Sequence, residues 1–190
     1  TTWYNKEHRV YGKWRPFQLA FVLMNLRSMY DRDCKERGIV DLIWFPTGGG
    51  KTEAYLGLTA FTIFYRKLAH PKQSAGTAVI MRYTLRLLAA QQFTRAATLI
   101  CACEYIRQDC AQRRHKYPAY PLGKDPITIG LWIGGTHIPN KNEDADFHLD
   151  KLRKVSNYYY VRNEKERHNK FQVLKCPWCG TKMVKDDKDK

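Results

Sequence analysis

Apolar positions along the chain fall into two kinds of spacing. From Phe17 to Met29 (FQLAFVLMNLRSM) they recur at mixed helical intervals, which predicts a helix. Pro16 sits in its first turn, where a missing N–H costs little. The charged residues Asp31 to Arg37, followed by Gly38, end that pattern. Ile39 to Phe45 (IVDLIWF) is then almost continuously apolar, the pattern of a strand buried on both faces, and Pro46 to Gly50 breaks it. A second helix is predicted over Thr52 to Leu68, where Ala54, Gly57, Leu58, Phe61, Tyr65 and Leu68 share a face. A polar turn spans His70 to Gly76, and Thr77 to Met81 (TAVIM) reads as another buried strand. Leu85 to Arg107 predicts the longest helix, with Ala89, Phe93, Ala96, Ile100 and Cys103 as its stripe. Gln112 to Asp125 is basic and proline-bearing, the composition of a surface loop. Ile127 to Ile133 (ITIGLWI) predicts a third strand, stopped by Gly134-Gly135.

That order is α-β-α-β-α-β. Strands alternating with helices imply an α/β fold with a parallel sheet and helices on its faces. The C-terminal strand ends would then line one edge, where ligands bind. After Asn140 the composition turns charged and aromatic, with no βα rhythm.

Charge narrows the partner. Lys and Arg number 33 against 18 Asp and Glu, a formal net charge of +15 on 190 residues. Such a balance favours a polyanion: nucleic acid, an acidic surface or nucleotide phosphates. With 44% hydrophobic residues the chain has enough apolar material to fold. No apolar run approaches the roughly 20 residues of a membrane span, and no secretory leader opens the chain. Six cysteines form no dense disulfide framework and fit a reducing cytosol. The expected location is cytoplasmic, with no membrane partner.

The strongest chemical signal is Phe45-Pro46-Thr47-Gly48-Gly49-Gly50-Lys51-Thr52, between an apolar run and an amphipathic one. Glycines let successive backbone N–H groups turn inward toward phosphate oxygens. The positive end of the following helix strengthens the field. Lys51 is the expected point charge for the β- and γ-phosphates, and the Thr52 hydroxyl the expected Mg²⁺ ligand.

The loop resembles motif I of superfamily 2 helicases and translocases. Two flanking stretches agree. Trp14-Arg15-Pro16-Phe17-Gln18 is similar to the Arg-Pro-aromatic-Gln signature that precedes motif I, and implies that Gln18 bonds the adenine edge. With Arg15, Phe17, the loop residues Pro46 to Thr52 and Glu53, it makes the expected ATP site. Arg82-Tyr83-Thr84-Leu85-Arg86, running on to Gln91, resembles motif Ia, whose Thr and Arg contact the nucleic-acid backbone. Gly134-Gly135-Thr136 looks like motif Ib. FPTGGGKTEAYLGL, MRYTLRLLAAQQFTRAATLICACEYIR and IGLWIGG taken together resemble the helicase component of the bacterial DISARM anti-phage system. That resemblance implies ATP-dependent movement on DNA, a RecA-like lobe, and a partner protein of the same system.

Cys176-Pro177-Trp178-Cys179-Gly180 has the spacing of half a zinc knuckle. Two thiolates supply half of a tetrahedron, so the remaining ligands are expected elsewhere. Lys151 to Lys175 carries eight Lys or Arg and two Glu, interleaved with Tyr158, Tyr159, Tyr160 and Phe171, which suits single-stranded nucleic acid.

The expected organisation is a helical lead-in (1–38), a RecA-like lobe (39–140), a basic and aromatic insertion (141–175) and an incomplete zinc segment (176–190). Hydrolysis in this class needs an acidic motif at a strand end, and Glu143-Asp144-Ala145-Asp146 follows no apolar run. The expectation is therefore a portion of a longer motor that does not turn over ATP by itself. Two other readings stay open. One is a different phosphate-loop enzyme, such as a nucleotide kinase. The other is a non-enzymatic zinc-containing nucleic-acid-binding module.

Overall fold

The structure is a computed structural model that describes residues 12–46, 48–84, 86–112, 122–133, 141–144 and 175–181. Three helices dominate: α1 (Pro16–Tyr30), α2 (Lys51–Ala69) and α3 (Arg86–Gln112). Two short 3₁₀ turns, Lys35–Gly38 and Pro71–Gln73, follow α1 and α2.

Each helix starts where local chemistry allows. Arg15, in extended conformation, caps α1, and Pro16 occupies the first turn. The Gln18 carboxamide oxygen accepts the Arg15 backbone N–H at 2.8 Å, which satisfies a donor at the helix entry. At the other end the Asp31 N–H bonds the Arg27 carbonyl at 2.9 Å. Gly50 precedes α2 with φ +94°, a left-handed conformation that side chains resist.

Contacts divide the chain into two compact units, Thr1–Arg82 with Leu99–Thr128, and Tyr83–Thr98 with Ile129–Lys190. In the first, α1 packs along α2. Phe21 meets Tyr55 edge-on with ring centroids 5.8 Å apart, and the Tyr65 hydroxyl donates to the Tyr30 carbonyl at 3.1 Å. Trp14 lies over Gly57 so closely that a Cβ there would come within 2.8 Å of its ring. The core of this unit gathers Ile63, Ile100, Cys103 and Ile127, with Ala60, Phe64, Ala78 and Leu99 packed against it. Burial pushes the Cys103 thiol up to about 11, so it stays an inert apolar group. In the second unit, Ala96 and Ala97 of α3 are buried.

The stripe expected on α3 is met at Ala96, Ile100 and Cys103. That on α2 is rotated. Ala54 and Leu58 are buried as expected, but Thr59, Ile63 and Lys67 join them, and Leu68 is exposed. Polar residues could take inward positions because each found a partner. Thr59 bonds the Tyr55 carbonyl at 2.8 Å, and the Lys67 ammonium donates to the Asp125 carbonyl at 2.7 Å.

The α/β architecture expected from the alternating pattern is not what forms. No strand occurs among the described residues, helix makes up 56%, and Lys175 has only an isolated bridge. The described residues therefore do not form the RecA-like parallel-sheet lobe that was expected. Residues 39–45, 77–81 and 127–133, expected as strands, lie in no regular element, and no ladder joins them. Val40 is 92% exposed, Trp44 89% and Trp132 99%. An extended segment has no internal backbone hydrogen bonds, so a neighbour decides whether it is a strand. Here side chains serve the backbone instead. Arg66 donates to the Thr77 and Gln73 carbonyls at 2.7 and 3.1 Å, and the Glu104 carboxylate accepts the Ile127 N–H at 2.8 Å.

Candidate phosphate-binding loop

The glycine loop joins the apolar run 39–45 to α2. The Gly49 N–H donates to the Pro46 carbonyl at 3.1 Å. Gly48 and Gly50 both take positive φ, +78° and +94°. Space is a second constraint. A Cβ at Gly50 would lie 2.6 Å from Gln18 Nε2, and one at Gly49 would lie 2.9 Å from the Pro46 oxygen and collide with the Phe45 ring. A Cβ at Gly48 would meet nothing. Gly50 is thus required by both conformation and surroundings, Gly49 by its surroundings and Gly48 by conformation.

The lead-in to α1 braces the loop from outside. The Arg15 guanidinium donates to the Gly49 carbonyl at 2.8 Å, and the Gln18 amide donates to the Gly50 carbonyl at 2.7 Å. Phe17 stacks on Phe45, ring centroids 3.9 Å apart and 12° from parallel. With its oxygen on Arg15 N–H and its nitrogen on Gly50, the buried Gln18 carboxamide keeps one N–H and one lone pair for other partners. These bonds occupy the Gly49 and Gly50 carbonyls.

Lys51, the first residue of α2, folds back on the loop. Its ammonium donates to the Phe45 carbonyl and, at 3.1 Å, to the Pro46 carbonyl. Thr52 and Glu53 are half-buried in the first turn of α2. The structure therefore brings together Arg15, Phe17, Gln18, Pro46, Gly48, Gly49, Gly50, Lys51, Thr52 and Glu53. Thr47 lies outside the described residues. Phe45 breaks the glycine pattern of the loop in sequence, and its role, as the ring on which Phe17 stacks, shows only in three dimensions. The signal was present as an aromatic residue just before the proline.

Of the expected nucleic-acid contacts, Arg82, Thr84 and Gln91 are exposed. Arg86 opens α3, but its side chain lies outside the described residues, as do Gly134, Gly135, Thr136 and the stretch 151–174. Cys176 and Cys179 are brought together in one turn.

Sequence reasoning did not find the charged cluster behind α2 and α3. Glu104 accepts two bonds from the Arg107 guanidinium, at 2.8 and 2.6 Å, one from Gln108 at 2.9 Å, and the Ile127 N–H. The Arg107 bonds chiefly hold its carboxyl far down, at about 2. Lys67 nearby is shifted downward, mainly by burial and then by Arg107. The i, i+3 and i, i+4 spacing of Glu104 to Arg107 and Gln108 was the available signal. The cluster is structural: it ties residues 125–127 to α2 and α3.

The chain is similar to the DISARM protein DrmA of Bacillus paralicheniformis, with 43% identity over 178 residues. The match covers 90% of this chain and 14% of that protein, so the chain spans about a seventh of the relative's length. No protein-family model matches the sequence. No solved structure matches it. The similarity links this chain to DISARM-related defence. Among the described residues no helix is long and apolar enough to cross a membrane.

Proposed function

We propose that this chain supplies the ATP-phosphate loop of a DISARM-related anti-phage protein, a DNA helicase or translocase of superfamily 2 in its complete form. One observation carries the reading: the loop Gly48–Thr52, at the mouth of a long helix, is braced by Arg15 and Gln18. Carbonyls drawn off by those two residues leave the N–H groups of the helix entry for an anion. On nucleotide binding Lys51 exchanges its two carbonyl partners for phosphate oxygens. Thr52 would hold Mg²⁺, which would supply charge neutralisation at the phosphates. Exposed Arg82, Thr84 and Gln91 reach DNA phosphates without reading sequence. The similarity to a DISARM protein supports the defence role and a partner protein of the same system.

A fluorescent ATP analogue with Mg²⁺ tests the nucleotide site. Lys51→Ala is expected to weaken its binding at least about tenfold, through loss of a charge-assisted contact. Arg82→Ala is expected to leave nucleotide affinity unchanged and to reduce the salt dependence of DNA binding by about one unit of slope. Nucleotide affinity that ignores Lys51 overturns the phosphate-loop reading. DNA affinity that ignores nucleotide as well then favours the non-enzymatic nucleic-acid module.

A further inference from the structure

Residues Lys175–Thr181 fold into a closed knuckle. The Cys176 N–H donates to the Thr181 carbonyl at 2.8 Å, and the Gly180 N–H returns to the Cys176 carbonyl at 2.9 Å. Gly180 takes φ +76°, the left-handed conformation that lets the chain reverse directly after Cys179. Cys179 Sγ lies 3.1 Å from Thr181 Oγ1. The Gly180 and Cys176 backbone bonds place both cysteines on the same turn. Neither cysteine is in a disulfide, and Cys179 is exposed.

The knuckle is also anchored. The Thr98 hydroxyl donates to the Pro177 carbonyl at 3.0 Å, so the turn is fixed to α3 within the second unit. Each feature suits a chelate. Two sulfurs on one tight turn can span adjacent corners of a tetrahedron, and the Thr181 hydroxyl beside Cys179 can support a bound thiolate.

We propose that Cys176 and Cys179 form a two-thiolate half-site for a soft divalent metal ion of the zinc class. Among the described residues no group of three or more His, Cys, Asp or Glu side chains is placed to hold a metal, so its other ligands come from outside the knuckle. This site is independent of the phosphate loop, and its failure leaves the nucleotide reading untouched.

Titration of the reduced full chain with Co²⁺ alone, followed by Zn²⁺ displacement, tests it. The expected result is a near-ultraviolet sulfur-to-cobalt charge-transfer band that Zn²⁺ abolishes. Cys176→Ser and Cys179→Ser each remove the band, whereas Cys34→Ser keeps it. Gly180→Val, which retains both thiols but opposes φ +76°, weakens metal affinity at least about tenfold. Helical circular dichroism of all variants matches the parent, because the exposed knuckle lies outside the helices. Absence of the band, or its survival in either Cys176→Ser or Cys179→Ser, overturns the proposal. So does ready closure of a Cys176–Cys179 disulfide with no metal uptake by the reduced chain.

Discussion

Ile127 and Trp132 belong to the same apolar run, and their environments are opposite. Ile127 is 8% exposed, its N–H bonded to Glu104 and its side chain in the core with Ile63, Ile100 and Cys103. Trp132 is 99% exposed. The same contrast separates the glycine loop from residues 39–45, which enter it. The loop is held by Arg15, Gln18 and Lys51, while Val40 and Trp44 just before it project outward. Hydrophobicity therefore does not decide burial along this chain. Ile127 is buried where the Glu104 carboxylate captures its backbone and holds it against the helices.

Five substitutions would break or sharpen that contrast. The largest effect is expected from Ile100→Ala in the core, a loss of about 2–5 kcal/mol in denaturant unfolding. A value below about 1 kcal/mol would mean that the core is not the anchor of Ile127. Glu104→Gln comes next, at about 1–3 kcal/mol near neutral pH, since it strips charge from the bonds to Arg107 and Ile127. Its pH signature is specific. The Glu104 carboxyl lies near 2 in the fold and near 4.5 unfolded, so its contribution is complete above about pH 4.5. It fades as pH falls toward 2, and the Gln variant should lack that part of the acid decline. Equal acid sensitivity in the two proteins would count against the Glu104 clamp.

Glycine scanning separates space from conformation. Gly50→Ala has both a positive φ and the Gln18 amide against it, and should cost about 1–3 kcal/mol. Gly48→Ala has the conformational penalty alone, and about 1 kcal/mol is expected. Thermal unfolding of the pair checks the order, and a reversal would show that the Gln18 brace is not what constrains the loop. The smallest effect is expected at Trp132→Ser, within about 0.5 kcal/mol, because the ring gives up no buried surface. A melting temperature several degrees lower would place Trp132 in a packed environment.

Much of the candidate site was legible before any coordinates. The Gly-Lys-Thr ending put Lys51 and Thr52 at a helix start, and α2 begins at Lys51. Pro16 and Gln18 marked a helix entry, and they stand in the first turn of α1. What the pattern could not convey is that Gln18 and Arg15 reach across to Gly50 and Gly49, since those contacts join distant parts of the chain. Nor could it convey that Lys67 faces inward, because a buried lysine is tolerable only with the Asp125 carbonyl beside it.

The sequence by itself determined three helices, to within a few residues at most ends, because a helix closes its backbone hydrogen bonds internally and carries its own periodicity. It also marked out three apolar runs, expected as strands, that no ladder joins. Whether they became strands was a tertiary matter, because a ladder needs a neighbour at the right distance and an apolar run does not name one. In this chain Arg66, Glu104 and Lys51 took up the backbone groups that a neighbouring strand would have bonded.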